Sequence, residues 1–348
     1  MAGLSYRHRV DAGLRSGDPQ AVLDVAVAAY EASAGDLLAV WGGVVQYLGR
    51  QPAATREALL RTLPGRHACA PVGSGLRLGL LHLAAILGQG LPLDVLAAER
   101  RETILALGDR WAVKDHTRLY LVRTELATGR ALPAEVVATV RRSAKLTSDP
   151  GWAALAAPLT NPLLNVGERW ADEVLAELGV LGPDWQALVT HAGTVRSGRP
   201  TSGWDRVGGE LLARLGEAEA HRRILSWLPL VGLERTLPLT GRVRGGPGGA
   251  DGHLDPFNAG FLRGLVLMLS LTGSVEETVP ALGRLVDTCL YTASRQVGPR
   301  SAKVANAAVA ALGRFGSSAA TAELRRLAGR ATYGTTRRLI DRRLLRTR

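Results

Sequence analysis

Apolar residues recur along this chain at three- and four-residue intervals from near its start almost to its end, and strand-like alternation is scarce. Ala21, Val22, Val25, Ala26 and Ala29 set the pattern. Such spacing lines one face of an α-helix. Asp18-Pro19 stands just before it. An Asp side chain accepts from the free N–H groups of a first helical turn, and Pro lacks a donor which that turn leaves unpaired anyway. A helix is therefore predicted from there through Ala32. Further periods fall at 35–48, 53–63, 75–87, 93–107, 117–127 and 133–145, and they stop near Gly49, Pro64, Gly88, Gly108 and Gly129. Pro133 occupies a first-turn position.

The same rhythm continues through 149–230, where Trp152, Trp170, Trp185, Trp204 and Trp227 fall about one to a helix and are expected to fill gaps between packed helices. It breaks at 240–255, which holds Arg242-Val-Arg-Gly-Gly-Pro-Gly-Gly-Ala-Asp-Gly252 and reads as a loop or linker. Asp255-Pro256 repeats the capping signal, and periods at 257–271, 276–293, 301–315, 319–331 and 335–345 complete the chain. The sum is about 15 to 17 helical segments of roughly 12–18 residues. Successive helix pairs without strands predict an all-α chain, an α-solenoid of HEAT- or armadillo-like antiparallel pairs, with a compact irregular helical domain as the alternative for the first 150 residues, where the period is loose. The divisions expected are an amino-terminal helical region at 1–148, Trp-marked repeats at 149–239, the Gly-rich loop at 240–255 and basic carboxy-terminal repeats at 256–348.

Composition agrees with helices and adds little else. Ala, Leu and Arg are strong helix formers, and aromatics make up only 5% of the residues. The most apolar run, 76–96, is interrupted by Arg77, His82, Gln89 and Pro92, so no membrane span is predicted. Cys69 and Cys289 match no metal or redox spacing, and the first nine residues lack a signal-peptide core. A soluble protein of the cytoplasm is expected.

Charge changes the picture at one end only. Residues 295–348 carry 13 of the 43 basic residues and just two acids, Glu323 and Asp341, which accounts for +11 of the chain's net +12. Arg338, Arg342 and Arg346 recur every four residues, as do Arg326 and Arg330, so each set lines one helix face. Lys303 and Arg314 fit another face, between apolar positions such as Val304 and Leu312. The bland reading is a solvated outer face. The functional reading is a polyanion-binding surface made of Lys303, Arg314, Arg326, Arg330, Arg338, Arg342 and Arg346, suited to nucleic-acid phosphates or an acidic protein.

Candidate chemistry is sparse. The glycines at 245–252 lead into Asp251-Gly-His-Leu254 and lack the Gly-Lys-Ser/Thr of a phosphate loop. Gly73-Ser-Gly-Leu-Arg-Leu-Gly79 misses the dinucleotide fingerprint by one residue and follows no predicted strand. Asp251, His253 and Asp255 alternate and could reach one metal ion, against the simpler reading of a polar loop ending in a cap at Asp255. His67 and Cys69 lie too close in sequence to meet productively, and His82, within an apolar period, reads as a hydrogen-bonded core or boundary residue.

One family resemblance is carried by four stretches: Trp204-Asp-Arg-Val-Gly-Gly-Glu-Leu-Leu, Ile224-Leu-Ser-Trp-Leu-Pro-Leu-Val-Gly232, Asn258-Ala-Gly-Phe-Leu-Arg-Gly-Leu-Val266 and Val297-Gly-Pro-Arg-Ser-Ala-Lys-Val-Ala-Asn-Ala307. From about residue 185 to 345 these resemble the helical-repeat region of bacterial MolR-like proteins linked to WGR domains, and the last is similar to that family's G-P-R-S-x-K-x-x-N-A stretch. The resemblance implies an α-helical repeat and brings no catalytic residues. Trp41-Gly42 is followed by Gly43, not Arg, so no WGR-type domain is expected before the helices, and the family's carboxy-terminal domain is expected to be missing. Together these readings predict a non-catalytic scaffold without cofactor, with a protein or nucleic-acid partner. The rival is a metal-dependent enzyme at Asp251, His253 and Asp255.

Overall fold

The computed structural model describes residues 2–33, 40–241, 252–273, 275–292 and 298–345, with side chains from Tyr6 onward. Eighteen α-helices and one short 3-10 turn account for the described elements. The only β-type pairing among them is an isolated bridge between Arg110 and Thr240. The chain is therefore all-α. No helix among the described residues is long and apolar enough to cross a membrane. Two compact units are present, one of residues 1–107 with 113–133, the other of 108–112 with 134–348.

The smaller unit contains α1 (Ala2–Ser16), α2 (Pro19–Ala32), α3 (Val40–Gly49), α4 (Ala53–Cys69), α5 (Gly75–Leu87), α6 (Ala97–Leu105) and α7 (His116–Ala127). Caps fix several starts: the Asp18 carboxylate accepts from the N–H groups of Gln20 and Ala21 at 2.9 and 3.2 Å, and Asp115 accepts from Arg118 N–H at 2.8 Å. Val22, Ala26, Trp41, Leu60, Leu80 and Val122 are buried where these helices meet.

Three helices depart from the sequence pattern, each for a physical reason. α1 is too polar to show an apolar period, and it is held instead by Val10 and by Gly13 lying against Val22. α4 does not stop at Pro64 but continues to Cys69. Leu59, Leu60, Leu63 and His67 keep one face buried through the proline, and that burial outweighs the roughly 3 kcal/mol an interior proline costs. α6 begins at Ala97, later than residue 93, after Leu96 in a left-handed conformation (φ 54°). Its buried anchor is polar: Arg100 donates to Asp94 at 2.6 Å and to the fully buried Glu125 at 3.0 Å. Of the predicted helix at 35–48, residues 35–39 lie outside the described ones.

His82 sits buried on α5 beside the Tyr120 ring, 5.1 Å away, and its Nδ1 has no hydrogen-bond partner. It is thus a core residue, though not hydrogen-bonded at that nitrogen. Burial pushes its pKa down to about 4, with Asp115 opposing and His116 and Arg123 reinforcing the shift. The unfolded chain then binds a proton near pH 6.5 that the folded unit refuses until about pH 4, so stability falls as pH drops through this window. From pH 7 to pH 5 the expected loss is about 2 kcal/mol. Urea unfolding of the protein and of His82→Phe at the two pH values checks this: the variant should lose most of the pH dependence.

The larger unit holds α8 (Ala134–Leu146), α9 (Pro150–Ala156), α10 (Arg169–Leu181), α11 (Pro183–Gly193), α12 (Ser202–Leu215), α13 (Glu217–Trp227), α14 (Asn258–Leu269), α15 (Thr278–Leu290), α16 (Ala302–Phe315), α17 (Ser318–Arg330) and α18 (Gly334–Leu344). One continuous apolar core runs from Leu164 to Ile340, so the Trp-marked and the basic stretches share it. α16 is buried nearly all round because α14, α15, α17 and α18 all pack on it. The five tryptophans do lie one to a helix, on α9 through α13. Trp152, Trp170, Trp185 and Trp227 are buried and Trp204 is half-buried, stacked on His191 at 4.9 Å. They serve as packing groups. α11 and α14 cross so closely that a Cβ at Gly264 would lie 2.0 Å from the Ala192 carbonyl oxygen.

Candidate functional site

The terminal basic face divides once its side chains are placed. Arg314 forms a two-pronged pair with Asp205 on α12, at 2.8 and 3.1 Å. Arg326 is held by Glu323 and Asp287 at 2.7 and 2.8 Å, and these hydrogen bonds raise its already high pKa further. Both guanidiniums are committed within the protein. Arg330, Arg338 and Arg342 are exposed, and none forms an ion pair among the described residues; Arg338 makes only a 3.3 Å bond to the Gly334 carbonyl. Arg338 and Arg342 line a shallow depression on α18 with Thr335, Leu345 and Asp341, whose carboxylate pairs with Arg337 at 3.5 Å. Arg346 lies outside the described residues. Lys303 is not part of that stripe at all. It stands in the first turn of α16, and its ammonium is held below the ordinary lysine range by burial and then by the positive charges of Arg263 and Lys145.

Of the stretch Val297–Ala307, Val297 lies outside the described residues and the remainder serves mainly to start α16. Ser301 Oγ accepts from Val304 N–H at 3.4 Å, and Asn306 accepts from Thr336 Oγ1 at 2.7 Å. Arg300 and Ser301 N–H groups bond to the Tyr291 and Cys289 carbonyls at 3.0 and 2.9 Å. Of the alternating acidic-histidine set, Asp251 is outside the described residues. Asp255 is fully buried and occupied: its carboxylate takes Arg142 at 3.0 Å, Asn165 at 3.1 Å and the N–H of Phe257 at 2.8 Å. The expected cap at Asp255 is therefore present, and the same carboxylate is half of a buried ion pair. Among the described residues no three His, Cys, Asp or Glu side chains group as metal ligands.

A buried polar junction surrounds that pair. Asn258 Nδ2 donates to Glu168 Oε2 at 3.0 Å and to the Asn165 carbonyl at 2.8 Å, while Glu168 Oε1 accepts Asp255 N–H at 2.7 Å and Arg235 at 3.5 Å. Burial, opposed by Arg235 and reinforced by Asp255, pushes the Glu168 carboxyl above its ordinary range. Arg142 also donates to the main-chain carbonyls of Trp111 and Arg110 at 2.9 and 3.0 Å, which ties the segment 108–112 to α8. With its donors and acceptors turned inward on one another, the junction organises the unit.

Beside it, open to the surface, lies a cleft of about 830 Å³ between α8, α9, α10, α11 and α14. Leu159, Leu163, Leu175, Leu178 and the tilted rings of Phe257 and Phe261 give it apolar walls. Its charged lining consists of Arg141 and Lys145, one helical turn apart on α8, and no acidic side chain lines it. Arg141 is buried. It donates to the Leu159 and Pro162 carbonyls at 2.7 and 2.8 Å and lies 4.5 Å over the Phe257 ring, yet makes no ion pair among the described residues. Burial lowers its pKa to about 10, against the pull of the more distant Asp255.

The sequence pattern singled out neither Arg141 nor Lys145. Their four-residue spacing marks one face of α8, but the apolar residues facing them come from helices up to more than a hundred positions away. Comparisons of the chain with protein-family models, curated proteins and solved structures find no match.

Proposed function

We propose that this protein is a non-catalytic interaction scaffold, a HEAT- or armadillo-like array of helix pairs whose basic carboxy-terminal face binds the phosphate backbone of nucleic acid. The observation that carries the reading is the exposed set Arg330, Arg338 and Arg342, free of carboxylate partners among the described residues while Arg314 and Arg326 are neutralised by their neighbours. Uncompensated guanidiniums on one end of a chain with +11 in its last 54 residues attract polyanions from a distance. The packing of most helices on close neighbours in sequence fits a repeat array. The MolR-like resemblance fits as well, since it implies helical repeats and no catalytic residues.

Titration with duplex DNA, single-stranded DNA and RNA of mixed sequence, at 50 and 200 mM salt, tests this proposal. Affinity should fall steeply with salt and vary little with sequence. Replacing Arg330, Arg338 and Arg342 together by glutamine should weaken binding about tenfold or more and reduce the salt slope by roughly 2–3. Absence of binding at the lower salt would overturn the nucleic-acid reading and leave an acidic protein as the partner to seek.

A further inference from the structure

The cleft beside α8 has a chemistry different from that of the terminal face. Its walls are mainly aliphatic and aromatic, interrupted by Thr160, Asn161, Gln186 and Thr190, its charged groups are cations, and no carboxylate lies among its lining side chains. Arg141 holds one positive charge in the wall, buried and without an ion-pair partner. Lys145 places a second on the rim, again with no ion pair among the described residues. Lys303, which does not itself line the cleft, feels the positive charges of both Arg263 and Lys145, and Arg263 donates to the carbonyls of Val195 and Arg196 with no ion pair among the described residues. A protein surface ordinarily intersperses both signs, and cations gathered around an apolar hollow focus a positive potential into it. Its volume lies within the range of small-molecule sites.

We propose that this cleft binds a small amphipathic anion, a fatty carboxylate whose alkyl chain lies along Leu159, Leu163, Leu175 and the two phenylalanines and whose head group meets Lys145 at the rim. An apolar body satisfies the walls, and a carboxylate supplies the charge that the protein itself withholds from Arg141 and Lys145. A neutral apolar molecule would leave these cations uncompensated. A highly charged one would leave the walls exposed. The proposal does not depend on nucleic-acid binding, because Arg330, Arg338 and Arg342 do not line the cleft.

The test uses the full chain and two fluorescent probes of similar shape: anilinonaphthalene sulfonate, which is anionic, and N-phenylnaphthylamine, which is neutral. The anionic probe should bind saturably at one site, at least tenfold tighter than the neutral one, and dodecanoate should displace it. Lys145→Gln with Lys303→Gln should weaken it about tenfold and narrow the gap between the probes. Gly179→Trp provides a second variant. A Cβ there meets nothing within 4 Å and Gly179 lines the cleft, so an indole has room to enter it without a clash on α10. That variant should bind both probes more weakly while keeping its thermal midpoint. Equal affinity for both probes, failure of dodecanoate to compete, or undiminished binding by Gly179→Trp would each overturn the assignment.

Discussion

Arg142→Met is expected to destabilise the larger unit by about 3–5 kcal/mol, because it strands a fully buried carboxylate. The Arg142 and Asp255 side chains are 1% and 0% exposed and pair at 3.0 Å. Without the guanidinium, Asp255 retains Asn165 and main-chain N–H groups but no cation at contact distance, and the carbonyls of Arg110 and Trp111 lose a donor. Asp255→Asn added to Arg142→Met should recover a large part of the loss, since an amide oxygen still accepts from Phe257 N–H and carries no charge to strand. Urea unfolding followed by tryptophan emission is a suitable readout: of the seven tryptophans only Trp41 belongs to the smaller unit. A single-variant loss below about 1 kcal/mol would mean that water reaches the junction and solvates Asp255.

Gly264→Ala should rank next, at about 3 kcal/mol, the upper end for overpacking a tight core. The added methyl would lie 2.0 Å from a main-chain oxygen of α11, and no side-chain rotation relieves that contact. Gly260→Ala is the matched control on the same helix. A Cβ there meets nothing within 4 Å, so the change should stabilise by up to about 1 kcal/mol through helix propensity. Opposite signs one turn apart would place the crossing of α11 and α14 at Gly264. Equal effects would mean that the helices can separate at little cost.

What the sequence made legible was local. Asp18 announces its helix because capping needs only a side chain and N–H groups two or three residues on. The tryptophans fall one to a helix because their spacing matches the length of a helix and its connection. Pro64 misled because whether a proline ends a helix depends on what the following turn buries, and His67 shows that only in three dimensions. Charge counting placed Lys303 and Arg314 in the polyanion-binding set, but Asp205 neutralises Arg314, and Lys303 feels the positive charges of Arg263 and Lys145 instead. The junction and the cleft were hidden for a related reason. Arg142 and Asp255 are 113 residues apart, and Asn165 and Asn258 are 93. Adjacent arginines on a helix read as a solvent face until the groups that receive them are known.

Residues 108–112 belong to the larger unit although both their flanks belong to the smaller one. During synthesis this short segment leaves the ribosome ahead of α8, and Asp255, which completes the charge pair at the same arginine, follows 113 residues behind Arg142. The amino-terminal helices can pack as they emerge, whereas the second unit must wait for most of its own length before its inner charges are matched. A fragment begun at residue 134 would lack both backbone acceptors that Arg142 uses, so the smallest autonomous version of that unit starts upstream of Gly108 and carries part of its neighbour with it.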